Sequence, residues 1–226
     1  MDKLIEKLNN PFDGLTKDEF QKTCSDIAKD LFCNYCINCN GREYYFAEME
    51  FYYWEKEKWN EKWNRVTYPR DGYEACDLFF HLSGFDICFK SSYEKAKFGG
   101  ILVRSIMNEE NEVFAGPLNC KDIILNSCGR REMPVLKAIE RKERKREWIP
   151  DVKSTYRLLG KEDMNNNIDG NLNLCFYDSI IISKGYWNPK KKSFKHIEPL
   201  DITLTDENLT DKKLRKALER IRKSLP

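Results

Sequence analysis

The spacing of apolar positions changes several times along the chain, and each change marks an element. Thr16 followed by Glu19 has the spacing of a capping box. Phe20, Cys24, Ile27, Ala28 and Leu31 then recur at helical intervals, so residues 17–32 read as an amphipathic helix. The runs CNYCINC and REYYFAEMEFYYW bracket Asn40-Gly41, whose readiness for positive φ predicts a two-residue β-hairpin turn. From Trp54 to Ala75 the alternation is lost and Tyr68-Pro69-Arg70-Asp71-Gly72 punctuates the segment, which reads as a long irregular insertion. DLFFHLSGFDICF, GGILVRSI and the weaker NEVFAG then read as strands, the last ending at Gly116-Pro117.

Residues 120–128 and 132–147 carry helical patterns, the second within a basic stretch over 130–150. A last apolar run, NLNLCFYDSIIIS, follows the turn-prone MNNNIDG. The end of the chain reads as a basic helix over 210–226, with Leu214, Ala217, Leu218, Ile221 and Leu225 on one face. No internal repeat is visible. This order of elements predicts an α+β fold, one domain over 1–226 with a curved, mostly antiparallel sheet, a strand-rich core at 33–125 and peripheral helices.

Composition narrows the function classes. With 41% hydrophobic and 34% charged residues, the chain can bury a core beneath a heavily solvated surface. No stretch approaches the roughly 20 apolar residues of a membrane span, and MDKLIEKLNN lacks the apolar run of a signal peptide. A cytoplasmic address in a reducing intracellular setting, nuclear in a eukaryote, is therefore expected. The nine cysteines are an odd number, and the expectation is reduced thiols with no disulfides. The 39 Lys and Arg nearly balance 37 Asp and Glu, so any nucleic-acid face must arise from clustering.

Cys33, Cys36 and Cys39 are spaced like thiolates that share a zinc or an iron-sulfur cluster. Three ligands are not four, however, and the spacing sets Cys36 on the opposite strand face from the other two, so buried, reduced strand cysteines are expected. No phosphate-binding glycine loop, nucleophile elbow or histidine pair at metal spacing is present. What remains is acid, aromatic and base. In AEMEFYYW, alternation puts Glu48, Glu50 and Tyr52 on one face of a strand. A carboxylate among aromatics loses solvation, its pKa rises, and it can act as a general base; the plain alternative is an exposed strand edge. His81 sits inside LFFHLSG, either as a satisfied core imidazole or as a pocket wall. Arg104, inside ILVRSI, must find a carboxylate, phosphate or carbonyl. Basic clusters run from Lys137 through Arg141, Lys142, Arg144 and Lys145 to Arg146, over Lys190-Lys191-Lys192, and along the last helix. Interleaved glutamates suit an ordinary solvated helix face as well as a polyanion contact.

Over roughly residues 24–125 the ordered features IAKDLF, CNYCINC, Asn40-Gly41, Glu48-Met-Glu50-Phe-Tyr52, Thr67-Tyr-Pro69-Arg70, LFFH and LVRSI resemble the methylpurine-DNA glycosylase family, also called 3-methyladenine or alkyladenine DNA glycosylases. The family shows, in the same order, a helix ending in leucine, a strand, a glycine turn, an E-T-E-A-Y type strand, a T-P-R loop, an L-Y-V-Y strand and L-L-R-A. The resemblance implies that Glu50 activates the attacking water, that Tyr52 and His81 stack on a flipped base, and that Arg104 lies near the base pocket. The family's histidine nine residues after its tyrosine falls at Glu61, leaving Trp59 or Trp63 as substitutes. Its tyrosine wedge is replaced by Leu82-Ser83-Gly84, with Phe85 as a stand-in.

What the resemblance implies is a monofunctional hydrolase of base-excision repair. It would extrude a damaged, alkylated purine from duplex DNA and cleave its N-glycosidic bond, as a monomer with no metal or cofactor and no membrane partner. Arg70, Lys90, Arg141, Lys142, Arg144 and Lys145 are the expected backbone contacts. Two rival expectations stand beside it: an inactive or substrate-shifted nucleic-acid binder of the same fold, and an interaction protein whose basic helices meet an acidic partner.

Overall fold

The computed structural model describes residues 2–9, 12–55, 72–92, 97–129, 133–139, 145–155, 174–184 and 186. The helix expected over 17–32 is the second of the chain. It follows α1 (Asp2–Asn9), which was not singled out in the sequence. α2 (Lys17–Asn34) begins as its capping box requires: Thr16 Oγ1 accepts from the Glu19 N–H, and Glu19 Oε2 accepts from the Thr16 N–H at 2.8 Å. Its periodic residues Phe20, Cys24, Ile27, Ala28 and Leu31 are all buried. Leu4 and Leu8 of α1 and the following Phe12 extend the same core, where the Phe12 ring meets Phe20, Tyr53 and Phe89.

β1 (Tyr35–Cys39) and β2 (Arg42–Glu55) form the predicted hairpin. Both turn residues have positive φ, 54° at Asn40 and 77° at Gly41, the requirement that selects Asn-Gly for a turn matching strand twist. The next hairpin is β3 (Leu78–His81) and β4 (Gly84–Cys88), followed by β5 (Lys97–Met107), β6 (Val113–Ala115) and α3 (Pro117–Cys128). β7 (Val135–Ala138), β8 (Val152–Thr155), β9 (Cys175–Asp178) and the short α4 (Ser179–Ser183) complete the described elements. Among the described residues nine strands join in one curled antiparallel sheet. Its main order is β3-β4-β5-β2-β1-β7, with β6 beside β5, β9 beside β2, and β8 beside β9. The fold is α+β, as expected.

β2 organises this sheet. One edge pairs with β5 along nearly its whole length, while the other is shared between β1 at Arg42–Tyr44 and β9 at Glu48–Glu50. One face of β2 is core: Tyr44, Phe46, Met49, Phe51 and Tyr53 pack with Ile101, Val103 and Ile106 of β5 and with α1, α2 and α3. The change from even to odd numbers in that series marks a bulge. The opposite face carries Tyr45 and Ala47, packed in a smaller cluster with Cys36, Met107, Ile139, Trp148 and Ile181, and beyond them Glu48, Glu50 and Tyr52.

Three expectations are corrected. The helix over 132–147 is not formed where its residues are described: Val135–Ala138 is an edge strand paired with β1, because Leu136 finds burial on the sheet while Val135 stays exposed. The apolar run NLNLCFYDSIIIS is split, since Asp178 ends β9 and accepts from the Ile180 N–H to start α4. Cys39 and Cys128, 89 residues apart, are brought together with Cα atoms 5.0 Å apart, a spacing that a disulfide bridges and that the expectation of no disulfides does not foresee. The pairing depends on α3 returning across β1, which cysteine counting cannot reveal. The terminal basic helix over 210–226 lies outside the described residues. Among the described residues, no helix is long and apolar enough to cross a membrane.

Candidate active site

The site is built on two compensating irregularities in the β2–β5 ladder. The register runs Phe46↔Ile106, Glu48↔Ser105, Met49↔Val103, so Ala47 is extra on β2 and Arg104 is extra on β5. A bulge leaves its extra residue out of register and re-aims the side chain. Here it turns Arg104 onto the face carrying Glu48 and Glu50. Arg104 Nε donates to Glu48 Oε1 at 3.1 Å and Nη1 donates to Glu50 Oε2 at 2.5 Å, while the Ser105 hydroxyl donates to Glu48 Oε2 at 2.9 Å. One guanidinium thus serves two carboxylates.

Cross-strand partners share a face, so register identifies the neighbours. Glu50 is opposite Leu102, Leu102 opposite Asp86, and Asp86 opposite Phe79; Tyr52 is opposite Gly100, and His81 opposite Gly84. Phe79, His81, Asp86, Leu102, Arg104, Glu50 and Tyr52 therefore lie on one side of the sheet, away from the main core. Gly99, one residue before Gly100, must be glycine, because a Cβ there would lie 2.6 Å from the backbone oxygen of Tyr52 and 2.6 Å from the Phe89 ring. His81 stacks on Phe79 with centroids 5.7 Å apart. Its Nε2 lies 3.3 Å from Oδ2 of buried Asp86, and its Nδ1 lies 3.2 Å from the Ser83 hydroxyl. The Nε2 contact is electrostatic rather than a hydrogen bond, since the atom is buried without hydrogen-bond geometry.

Burial decides the electrostatics. Glu48 is 1% exposed, and burial pushes its carboxyl up to about 7, with Arg104 and Ser105 drawing it back and Glu50 adding repulsion. Burial works against the charge of Arg104, but Glu50 and Glu48 outweigh it and hold the guanidinium protonated. The triad carries one positive and two potential negative charges in a poorly solvated place. Arg104 makes its side-chain hydrogen bonds through Nε and Nη1, which leaves Nη2 for an acceptor on a ligand.

The same face carries a second charged centre beside Tyr45, built on Asp178, which directly follows Tyr177, the β9 partner of Glu48. Arg146 Nη1 and Trp148 Nε1 donate to Asp178 Oδ2 at 3.2 and 2.9 Å, and the Asp151 and Ile180 N–H groups donate to Oδ1, each at 3.1 Å. The Arg146 guanidinium lies over the Tyr45 ring, 4.7 Å from its centroid.

Glu50, Arg104, Tyr52 and His81, the four residues singled out from sequence at the heart of the site, are thus placed on one face. Phe85, expected as a substitute wedge, is corrected: it is fully buried, stacked on Phe80 at 5.2 Å on the core side, because it alternates with Gly84 and Asp86. Lys90 and Lys145 are surface cations paired with Glu74 at 3.0 Å and Glu109 at 2.9 Å. Arg70, Arg141, Lys142 and Arg144, with Trp59, Glu61 and Trp63, lie outside the described residues. Cys33 ends α2 rather than starting a strand, and burial, helped by Glu43, pushes the Cys36 thiol up to about 12, which ill suits a thiolate ligand. Among the described residues no group of three metal-ligating side chains converges.

Comparison with known proteins finds no matching family model, no matching curated protein and no matching solved structure.

Three contributors escaped the sequence reading. Glu48 was placed beside Glu50 by alternation but given no role. Asp86 sits in the apolar run GFDIC, and a buried acid there carries the same signal as His81 and Arg104 in their runs. Ser105 becomes a partner of Glu48 only through the bulge.

Proposed function

We propose that the chain is a monofunctional DNA glycosylase that hydrolyses the N-glycosidic bond of a flipped, damaged purine, with Glu50 activating the water. The observation that carries this reading is the Arg104 to Glu50 contact on a face that also bears Tyr52 and His81. In hydrolysis, Glu50 takes a proton from water as the oxygen bonds to the sugar carbon, and the glycosidic pair leaves with the base. Arg104 Nη1 fixes the carboxylate, while Nη2 is placed to hold an acceptor on the base or sugar. Tyr52 and His81 are partly exposed rings suited to stacking on the extruded base.

Leu82 supports the same reading. It is 91% exposed at the tip of the β3–β4 turn, beside His81, and Lys121 Nζ donates to the carbonyls of both His81 and Leu82, at 3.2 and 2.9 Å. An apolar side chain on a pinned turn suits the gap left by a flipped nucleotide.

The test is incubation with duplexes carrying alkylated, deaminated or unmodified purines, followed by alkali to cut abasic sites, with Glu50→Gln as control. Lesion-dependent cleavage lost in the Gln variant supports the proposal. Release that survives in the variant overturns the mechanism, and salt-sensitive binding without any release overturns the activity in favour of a binding protein of the same fold.

A further inference from the structure

The Glu48–Arg104–Glu50 triad has a feature that Glu50 as sole base leaves unexplained: a second carboxylate, more deeply buried than the first, on the same guanidinium. Glu48 touches no surface where a substrate can reach it, since it is 1% exposed, opposite Ser105 on one side and Tyr177 on the other. It acts only through Arg104.

We propose that Glu48 is a positioning residue that carries the pair's shared proton, and so keeps Glu50 ionised and aimed. This deepens the reading of Glu50 as base and rests on it. The groups facing Glu48 are Arg104 and Ser105 from β5, Glu50 from its own strand, Tyr177 from β9 and, more distantly, the buried Cys120 of α3. Two carboxylates on one guanidinium repel each other, so a proton taken up by the triad is shared between unequal sites. Glu48 is the deeper of the two and is held through Nε, while Glu50 has the shorter bond to Nη1. Burial favours the neutral form of Glu48, in keeping with its carboxyl at about 7. The proton therefore rests on Glu48, and Arg104 with Glu50 forms a matched pair ready to accept a proton from water. When Glu48 ionises at higher pH, it competes for Arg104 and raises the proton affinity of Glu50.

Carboxyl-carbon NMR titration of the full chain, free of substrate, tests this directly. The wild type is expected to show Glu48 titrating near neutrality while Glu50 stays ionised. Glu48→Gln, which imitates the protonated state beside which Glu50 titrates, should remove the step near neutrality and leave the Glu50 midpoint close to its wild-type position. Ser105→Ala, which leaves both charges in place but removes a donor to Glu48, should move the Glu48 midpoint up, and so reports on the proposal without touching either carboxylate. A Glu50 that carries the proton at neutrality, or whose midpoint falls by about a pH unit or more in the Gln variant, overturns the proposal. Because these midpoints are read without turnover, a titration as expected alongside absent base release keeps the proton on Glu48 and removes the glycosylase reading, while base release with the proton on Glu50 does the reverse.

Discussion

The face of β2 turned away from the main core meets two arginines a few residues apart along the strand, and the two are neutralised in opposite ways. Near the β9–α4 junction, Arg146 meets one carboxylate, and both oxygens of Asp178 are occupied by four N–H donors in all. Nothing at Asp178 is left over for a ligand, and its acceptor pattern ties β9, α4 and the 145–151 segment together. At the bulge, Arg104 meets two carboxylates, keeps Nη2 unspent and leaves 13% of its side chain exposed, against 1% for Arg146. A matched, enclosed ion pair holds structure. An over-supplied, part-exposed one retains the capacity to move a proton, which is why the two centres are expected to respond differently to the same kind of substitution.

The largest effect is expected at the matched centre. Arg146→Met leaves Asp178 buried without its cation, and breaking a buried pair from one side costs on the order of 3–5 kcal/mol. Urea unfolding should show that loss together with weakened attachment of α4. A loss under about 1 kcal/mol would mean that the three remaining donors suffice and that the contrast between the centres is false.

At the bulge the expected damage is to rate instead. Glu50→Gln keeps the shape and the acceptor for Arg104 Nη1 but removes the proposed base, so on that proposal base release should fall about 10²–10⁴-fold, the usual scale for a general base, while unfolding free energy stays within about 1 kcal/mol. A variant that unfolds readily would put Glu50 in the same structural class as Asp178.

The pH dependence of stability separates the centres further. Glu48 has an ordinary value of 4.5, and burial raises it to about 7 in the fold. A carboxyl raised by folding contributes stability that is fully present below pH 4.5 and is lost as pH rises through 7, because the unfolded chain releases the proton more easily. The shift corresponds to roughly 3 kcal/mol. Denaturant midpoints should therefore decline between about pH 4.5 and 7 in the wild type, and Glu48→Gln should flatten that decline. An equal decline in the variant would assign the pH response to other groups.

These differences were only partly legible in the sequence. Periods of two and 3.6, the capping box at Thr16 and the Asn-Gly turn act locally, so α2, the first hairpin and the strands at 78–107 could be read directly. Glu50, Arg104 and His81 were visible because each is polar in a run that otherwise buries apolar side chains. Arg104 could be marked as needing a partner, but which carboxylates it would take depended on a bulge that shifts register by one residue and reverses itself one residue later. No propensity encodes such a pair of defects. The same is true of Cys39 with Cys128, and of Val135–Ala138, whose basic flanks suggested a helix until an open edge of β1 supplied a partner. Phe85 does not stand in for the wedge because alternation starting at Gly84 sends it into the core and leaves Leu82 at the tip.

Leu82 gives the smallest expected change in the fold and so the sharpest separation of structure from function. Its side chain is in solvent, and the turn is held through backbone carbonyls by Lys121, not through the leucine itself. Leu82→Ser should therefore shift unfolding by no more than about 0.5 kcal/mol, the range for surface positions free of special geometry. An exposed leucine costs little by itself, but under the proposed glycosylase reading an apolar tip beside His81 gains its value when it is buried against bases. Removing it forfeits most of the roughly 1.5–3 kcal/mol that burial of such a side chain is worth. Affinity for a lesion duplex, measured at fixed salt, should then fall about tenfold or more, while binding of single-stranded DNA, which leaves no gap to fill, changes less. An equal loss on both substrates would make Leu82 a general contact rather than a wedge, and no loss on either would detach the β3–β4 turn from the site that Glu50 and Arg104 define.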